Sequence, residues 1–188
     1  MPRRTVQFCP GEYYHLYNRG NNRERVFFTR ENYLFFLRQW REYVSRVSDV
    51  VAYCLMPTHY HVLILLKDKD LSHCMQLLAI SYTKAINKSC QRVGVVFQGA
   101  FKAKHIDRNE YLVHLSRYVH LNPVLAGLVK QVEEWEFSSY REYVGLRAGS
   151  LPVPGIVLSQ FASPDAYRAF VAAYSPEERK VVEEFAFD

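Results

Sequence analysis

The sequence predicts an α+β fold of the ferredoxin-like, or RRM-like, type: an antiparallel sheet with helices packed on one face, followed by a C-terminal helical extension. Three observations predict it. Segments of strand and helix character follow one another in the order β-α-β-β-α-β up to Ile106, which is the split βαβ arrangement. Two apolar strands meet so closely at Pro57-Thr58 that an antiparallel hairpin is the way to join them. Apolar residues make up 49% of 188 positions, with 14 Tyr and 12 Phe, enough for a real core and too many for a disordered chain.

Each element has its own signal. Tyr13 to Arg19 reads as a strand ended by the loop Gly20-Asn21-Asn22, since Gly and Asn favour turns. From Arg30 to Arg46 the residues Tyr33, Leu37, Trp40, Val44 and Val47 recur at helical spacing behind Thr29, a suitable N-cap. Val50 to Met56 and His59 to Leu66 form the hairpin. A helix from Leu71 to Arg92 buries Leu71, Met75, Leu78, Tyr82 and Ala85 and sets Lys84, Lys88 and Arg92 in a separate row. A short strand, Phe101 to Ile106, leads to a helix from Arg108 to Asn122, which Pro123 and the Gly127 turn are expected to stop. Gly145 to Gly155 holds three Gly and two Pro and reads as a linker to acidic helices between Pro164 and Phe187. The expected division is therefore a domain over 1–145 and an extension over 146–188.

Charge is distributed unevenly. Through Lys130 there are 19 Lys and Arg against 9 Asp and Glu, whereas from Gln131 onward there are 5 against 10. A polyanion would meet the first two-thirds of the chain, although an ordinary solvated basic surface has the same composition. No apolar run suits a signal peptide or a membrane span, so a soluble, cytoplasmic protein is expected. Cys9, Cys54, Cys74 and Cys90 are widely spaced, unlike a secreted disulfide framework.

Two segments carry chemistry. In Met56-Pro57-Thr58-His59-Tyr60-His61 strand alternation brings His59 and His61 out on one face, where two imidazoles can share a divalent cation. The plain alternative is a pair of histidines hydrogen-bonded at a strand end. In Tyr111 to Pro123, a helical turn of 3.6 residues makes Leu112, Leu115 and Val119 the core stripe and lines up Tyr111, His114, Tyr118 and Asn122 along its edge. Here too a bland reading stands: Tyr118 as a half-buried packing residue and Asn122 as a helix stop before proline.

Together these segments resemble the HUH single-tyrosine (Y1) transposases of the IS200-like family, and within it the REP-associated tyrosine transposases. The resemblance includes Tyr14-His15 and Tyr17-Asn18-Arg19-Gly20-Asn21, Tyr53-Cys54-Leu55-Met56-Pro57, His59-Tyr60-His61 and Phe97-Gln98-Gly99-Ala100-Phe101-Lys102. It continues through Tyr111-Leu112, Arg117-Tyr118-Val119-His120-Leu121-Asn122-Pro123-Val124, Ala126-Gly127-Leu128-Val129, Trp135 and Ser138-Ser139-Tyr140. It runs in order from Tyr13 to Tyr143. The simplest IS200-type enzymes usually carry glutamine one turn after the tyrosine, whereas this chain has Asn122, as the REP-associated branch does. Ala100 departs from that branch, which often has a basic residue there.

The resemblance implies a transposase-type endonuclease and strand transferase acting on single-stranded or hairpin DNA, with REP-like hairpins as substrate. It implies Tyr118 as the nucleophile that forms a 5′-phosphotyrosine link, and His59, His61 and Asn122 as ligands of Mg²⁺ or Mn²⁺. His15 and His114 are candidates to support that site from behind, and His114 also to assist proton transfer. Basic residues suited to phosphate contact are Arg19, Arg23 and Arg25, then Lys84, Lys88 and Arg92, then Lys102, Lys104 and Arg108. Exposed rings such as Tyr60 or Phe97 are candidates for base stacking. The expected partner is DNA, with no membrane, and the chain a monomer or homodimer. Two other readings stay open: a non-catalytic nucleic-acid-binding module of RRM-like fold, and an HUH nuclease of the rolling-circle or relaxase type.

Overall fold

The computed structural model describes residues 6–175. Its frame is four strands, β1 (Tyr13–Arg19), β2 (Ser48–Met56), β3 (His59–Leu66) and β4 (Lys102–Ile106), in the spatial order β2-β3-β1-β4. Every neighbouring pair is antiparallel. Helix α1 (Arg30–Gln39) connects β1 to β2, and α2 (Leu71–Ser89) connects β3 to β4. This is the expected α+β, ferredoxin-like order, with the β2–β3 turn at Pro57-Thr58 setting Met56 opposite His59.

Strand alternation sorts the side chains into two cores. On one face Tyr14 and Leu16 of β1 and Tyr60, Val62 and Ile64 of β3 pack under Tyr33 and Phe36 of α1 and Leu71, Met75, Leu78 and Tyr82 of α2. Aromatic rings dominate the contact. Phe36 stands 5.0 Å from Tyr60 and 5.2 Å from Tyr82 between centroids, and Phe27 stacks on Tyr33 at 4.4 Å. Such pairs add to the burial of their own area.

The second core corrects the expectation that helices cover one face only. Helix α3 (Asn109–Leu125) lies across the opposite face, with Leu112, Leu115 and Val119 against Val51, Cys54, Leu63 and Ile106. The stripe at helical spacing shows which side of α3 is buried, but β3 is apolar on both faces, so spacing alone does not say which face α3 covers.

Element ends also shift. The first helix continues from Gln39 as a wider π turn, Trp40–Val44, rather than as α-helix to Arg46, and α2 stops at Ser89 instead of reaching Arg92. Pro123 does not stop α3; the helix runs on to Leu125 and closes on Gly127 at φ +68°. Proline deletes one backbone donor, and just before it the Asn122 amide adds a side-chain bond to the Tyr118 carbonyl, 2.8 Å away.

The chain after α3 is part of the fold. Residues 135–139 run along the outer edge of β2, where Leu55 N donates to Phe137 O at 2.9 Å, Ser139 N to Tyr53 O at 3.0 Å and Trp135 Nε1 to Leu55 O at 3.0 Å. That strap covers an edge that would otherwise invite pairing with another chain. Short helices α4 (Tyr140–Tyr143) and α5 (Gly155–Leu158) and helix α6 (Pro164–Ala172) follow. The segment 145–155, expected as a linker, is packed: Leu151 and Pro152 are buried and Val153 N donates to Val50 O at 2.8 Å. Val157, Tyr167 and Val171 then join the second core. The remainder of the expected acidic helices, beyond Ser175, lies outside the described residues.

Candidate active site

Register places the two histidines of β3 at the end of the hairpin strand, His59 opposite Arg19 and His61 opposite Tyr17. Both point to the α3 face, as alternation requires with Tyr60 packed on the other. Their rings are 5.0 Å apart, edge to face. Each is held through Nδ1. Thr58 Oγ1 lies 2.9 Å from His59 Nδ1, and His15 Nε2 lies 2.9 Å from His61 Nδ1. His15 itself is fully buried and its ring stacks on Tyr17 at 5.0 Å.

All three imidazoles are neutral at neutral pH. Burial, with Arg19 nearby, lowers His59 to about 4; burial, with Lys104 nearby, lowers His15 to about 3. His61 is pushed well below its ordinary value by burial and by its two histidine neighbours. Neutral imidazole is the form that binds metal.

From α3, Tyr118 sets its ring edge-to-face against His61, 6.3 Å between centroids. Asn122, one turn on, donates Nδ2 to the Tyr118 carbonyl at 2.8 Å. Both residues are 8% exposed. The structure thus puts the rings of His59, His61 and Tyr118 in contact at one end of the sheet, with Asn122 one helical turn after Tyr118. Among the described residues no group of three or more His, Cys, Asp or Glu is placed to hold a metal ion. Two imidazole nitrogens with one carboxamide oxygen would make an N/O donor set compatible with Mn²⁺ and, through the oxygen, with Mg²⁺.

The other expected residues scatter. His114 is turned to the C-terminal segment, with its Nδ1 3.0 Å from Arg117 Nη2 and its ring against Phe170, so the expected edge shared with Tyr118 is split. Tyr111 lies under the Arg108 guanidinium at 5.2 Å. Arg19 is paired with Gln98 beside His59, and Lys104 neighbours His15, so these two cations flank the site. Lys102 is exposed on β4; Arg23 and Arg25 are exposed on the loop after β1, and Lys84 and Lys88 on α2. Arg92 is engaged by Glu24 at 2.8 Å and lies over Phe28. Tyr60 and Phe97 are core residues, not stacking platforms.

Sequence reasoning missed a buried polar group on α3: Arg117, Ser116 and His120, with Ser139 and Tyr167. Their spacing on α3 is helical, which was the available signal.

Comparison with known proteins adds to this geometry. Residues 10–122, more than half the chain, match the family described as Transposase IS200 like. The chain belongs to the IS200-like transposase family. Within that family it is similar to a Haemophilus influenzae protein described as a REP-associated tyrosine transposase, 27% identical over 107 residues, which is 51% of this chain. The chain spans 61% of that relative's length. A solved REP-associated tyrosine transposase bound to a REP hairpin shares the fold, with a TM-score of 0.63 at 23% identity over 80% of this chain and 93% of the other. Both relatives lie in the REP-associated branch that the motifs resemble. Among the described residues no helix is long and apolar enough to cross a membrane.

Proposed function

We propose that this family member cleaves and rejoins single-stranded DNA beside a hairpin, with Tyr118 as nucleophile and a divalent cation held by His59, His61 and Asn122. The observation that supports the reading is the meeting of two independent elements: Tyr118 of α3 packs against His61 of β3, and Asn122, one turn later, donates to the Tyr118 carbonyl. A packing tyrosine does not need two neutral histidines and a carboxamide beside it.

The chemistry follows from the charges. The Tyr118 oxygen attacks phosphorus, the bond from phosphorus to the 3′-oxygen breaks, and the leaving 3′-hydroxyl takes up a proton while the phenol gives one up. The product is a 5′-phosphotyrosine link that stores the bond, and a later 3′-hydroxyl attack reverses it. A phenol titrates near 10 and the target phosphate is anionic, so both need a neighbouring positive charge. Bound Mg²⁺ or Mn²⁺ would supply it by polarising a phosphate oxygen and stabilising the ionised phenol. For His61 to ligate through Nε2 its Nδ1 must carry the hydrogen and donate to His15, and for His59 the donor is Nδ1 to Thr58. His15 then supports a ligand from behind. This reading assigns no step to His114, whose Nδ1 meets Arg117 Nη2.

The substrate class rests on the solved relative, which is bound to a REP hairpin, and on the basic first two-thirds of the chain. Arg19 and Lys104 flank the site for the scissile strand, and Arg23, Arg25, Lys84, Lys88, Lys102 and Arg108 are exposed for the rest. Domain limits follow the same reading, with the catalytic unit in 1–145 and an extension in 146–188, whose described part, to Ser175, packs on α3. The non-catalytic RRM-like reading is not favoured, since it needs an open sheet face for bases to stack on and α3 covers that face.

Trapping tests the proposal. A labelled hairpin with a single-stranded flank, incubated with Mg²⁺ or Mn²⁺, should become covalently attached to the wild-type chain and to Tyr111→Phe, and not to Tyr118→Phe. Adduct formation by Tyr118→Phe would sink the assignment.

A further inference from the structure

Helix α3 has a second surface, turned away from the sheet histidines and occupied by the C-terminal segment. Arg117, the residue before Tyr118, is 2% exposed. Its guanidinium carbon lies 4.0 Å from the centre of the Phe170 ring and 5.3 Å from that of Tyr174. Nη1 donates to the Phe170 carbonyl at 3.1 Å, and Nη2 meets His114 Nδ1 at 3.0 Å. Two residues beyond Tyr118, His120 is fully buried, with Nδ1 2.8 Å from the Tyr167 hydroxyl and Nε2 2.8 Å from Ser139 Oγ. The Tyr167 hydroxyl also meets Ser116 Oγ at 3.1 Å, and Ser139 Oγ accepts from Tyr53 N at 2.8 Å.

These bonds form one path from α6 through α3 to β2, the strand paired with the histidine strand. Its geometry bears on the nucleophile. Leucine and valine stripes hold a helix against a sheet but resist sliding and rotation weakly, because dispersion contacts are nondirectional. Hydrogen bonds between buried groups are directional, and a buried polar network specifies one register. Here the polar residues 116, 117 and 120 bracket Tyr118 in the chain and hold α3 from both sides of it. A displacement of about 1 Å at a reacting atom can cost on the order of 100-fold in rate, so register on this scale matters to attack.

We infer that the C-terminal segment is a positioning device for Tyr118: Phe170 and Tyr174 on Arg117, and Tyr167 on His120, set the rotation and height of α3 so that the phenol meets the histidine site. The inference rests on the proposed role of Tyr118. Tyr167 and Val171 of that segment are buried against α3.

The test separates positioning from folding. Tyr167→Phe keeps the ring and removes the hydroxyl that joins His120 to Ser116; Arg117→Lys keeps the charge and removes the planar stack. With the full chain, saturating labelled hairpin and Mn²⁺, the rate constant for adduct formation in a single turnover should fall about tenfold or more in each. The final adduct amplitude should stay at the wild-type level and the Kd for the hairpin should stay within about twofold, since phosphate contacts are untouched. An unchanged rate constant overturns the inference, whether the amplitude is full or is reduced in proportion to the folded fraction, the latter marking a purely structural role. If Arg117→Lys does not fold, Tyr167→Phe decides. Absence of adduct in the wild-type chain would instead overturn the role of Tyr118 itself.

Discussion

The two faces of the sheet are built differently from the same strands. Under α1 and α2 the contact is mainly aromatic and apolar, with Phe27, Tyr33, Phe36, Tyr60 and Tyr82 packed ring on ring. Under α3 the strands present His15, His59 and His61, α3 answers with Tyr118, and the other surface of α3 buries Ser116, Arg117 and His120 against the chain that follows it. Burying polar groups is costly unless each is hydrogen-bonded, so the second face sacrifices stability for defined geometry. Local conflict of this kind marks functional regions. The first face should therefore respond to mutation in stability and the second in rate.

Changes at the histidines should show the largest effect. His61→Ala and His59→Ala should each slow adduct formation by on the order of 1,000-fold while hairpin affinity stays within a few-fold, as measured by gel shift and single-turnover trapping. Metal-independent cleavage by the double variant would remove both from the ligand set. On the opposite face, Phe36→Ala should destabilise the fold by about 3–5 kcal/mol in denaturant unfolding, with the rate constant of the molecules that remain folded unchanged. A large rate effect there would erase the distinction between the faces.

The next effect is a pH dependence. Burial lowers His120 from 6.5 to about 3, so below 6.5 the unfolded chain takes up a proton that the fold refuses. The stability at stake is fully present above about pH 6.5 and is lost as pH falls from there towards 3. For this one group the loss at pH 5 is about 2 kcal/mol. His120→Gln should flatten the fall in melting temperature between pH 7 and pH 5, with the other buried histidines contributing equally to both proteins. Equal slopes would mean that His120 is hydrated in the fold. The smallest effect belongs to the exposed cations: Lys84→Ala should weaken hairpin binding by about two- to fivefold at low salt and less at high salt, and no change at any salt would take Lys84 out of the DNA path.

Much of this plan was legible in the sequence, for reasons that also mark where it stopped. Alternation around Tyr60 put His59 and His61 on one face because strand period leaves no other choice. Helical spacing identified Leu112, Leu115 and Val119 as a buried stripe, yet it could not choose the sheet face, since Leu63 is as apolar as Val62. The pairing of Tyr118 with the histidines came from the family resemblance, because residues 57 positions apart in sequence carry no local sign of contact. Gly and Pro in 145–155 suggested a linker, but turn residues do not report that Pro152 pairs with Val50 on the β2 edge. Arg117 and His120 read as surface residues by type, and only their tertiary partners Phe170, Tyr167 and Ser139 make their burial possible.

The identity of the attacking oxygen decides whether the active site lies here. Tyr111 and Tyr118 are two turns apart on α3, but only Tyr118 packs against His61, while Tyr111 packs under Arg108. Trapped adduct digested with protease and nuclease should yield, by mass spectrometry, one peptide carrying a nucleotide phosphate on Tyr118. A phosphotyrosine at any other position would contradict the account.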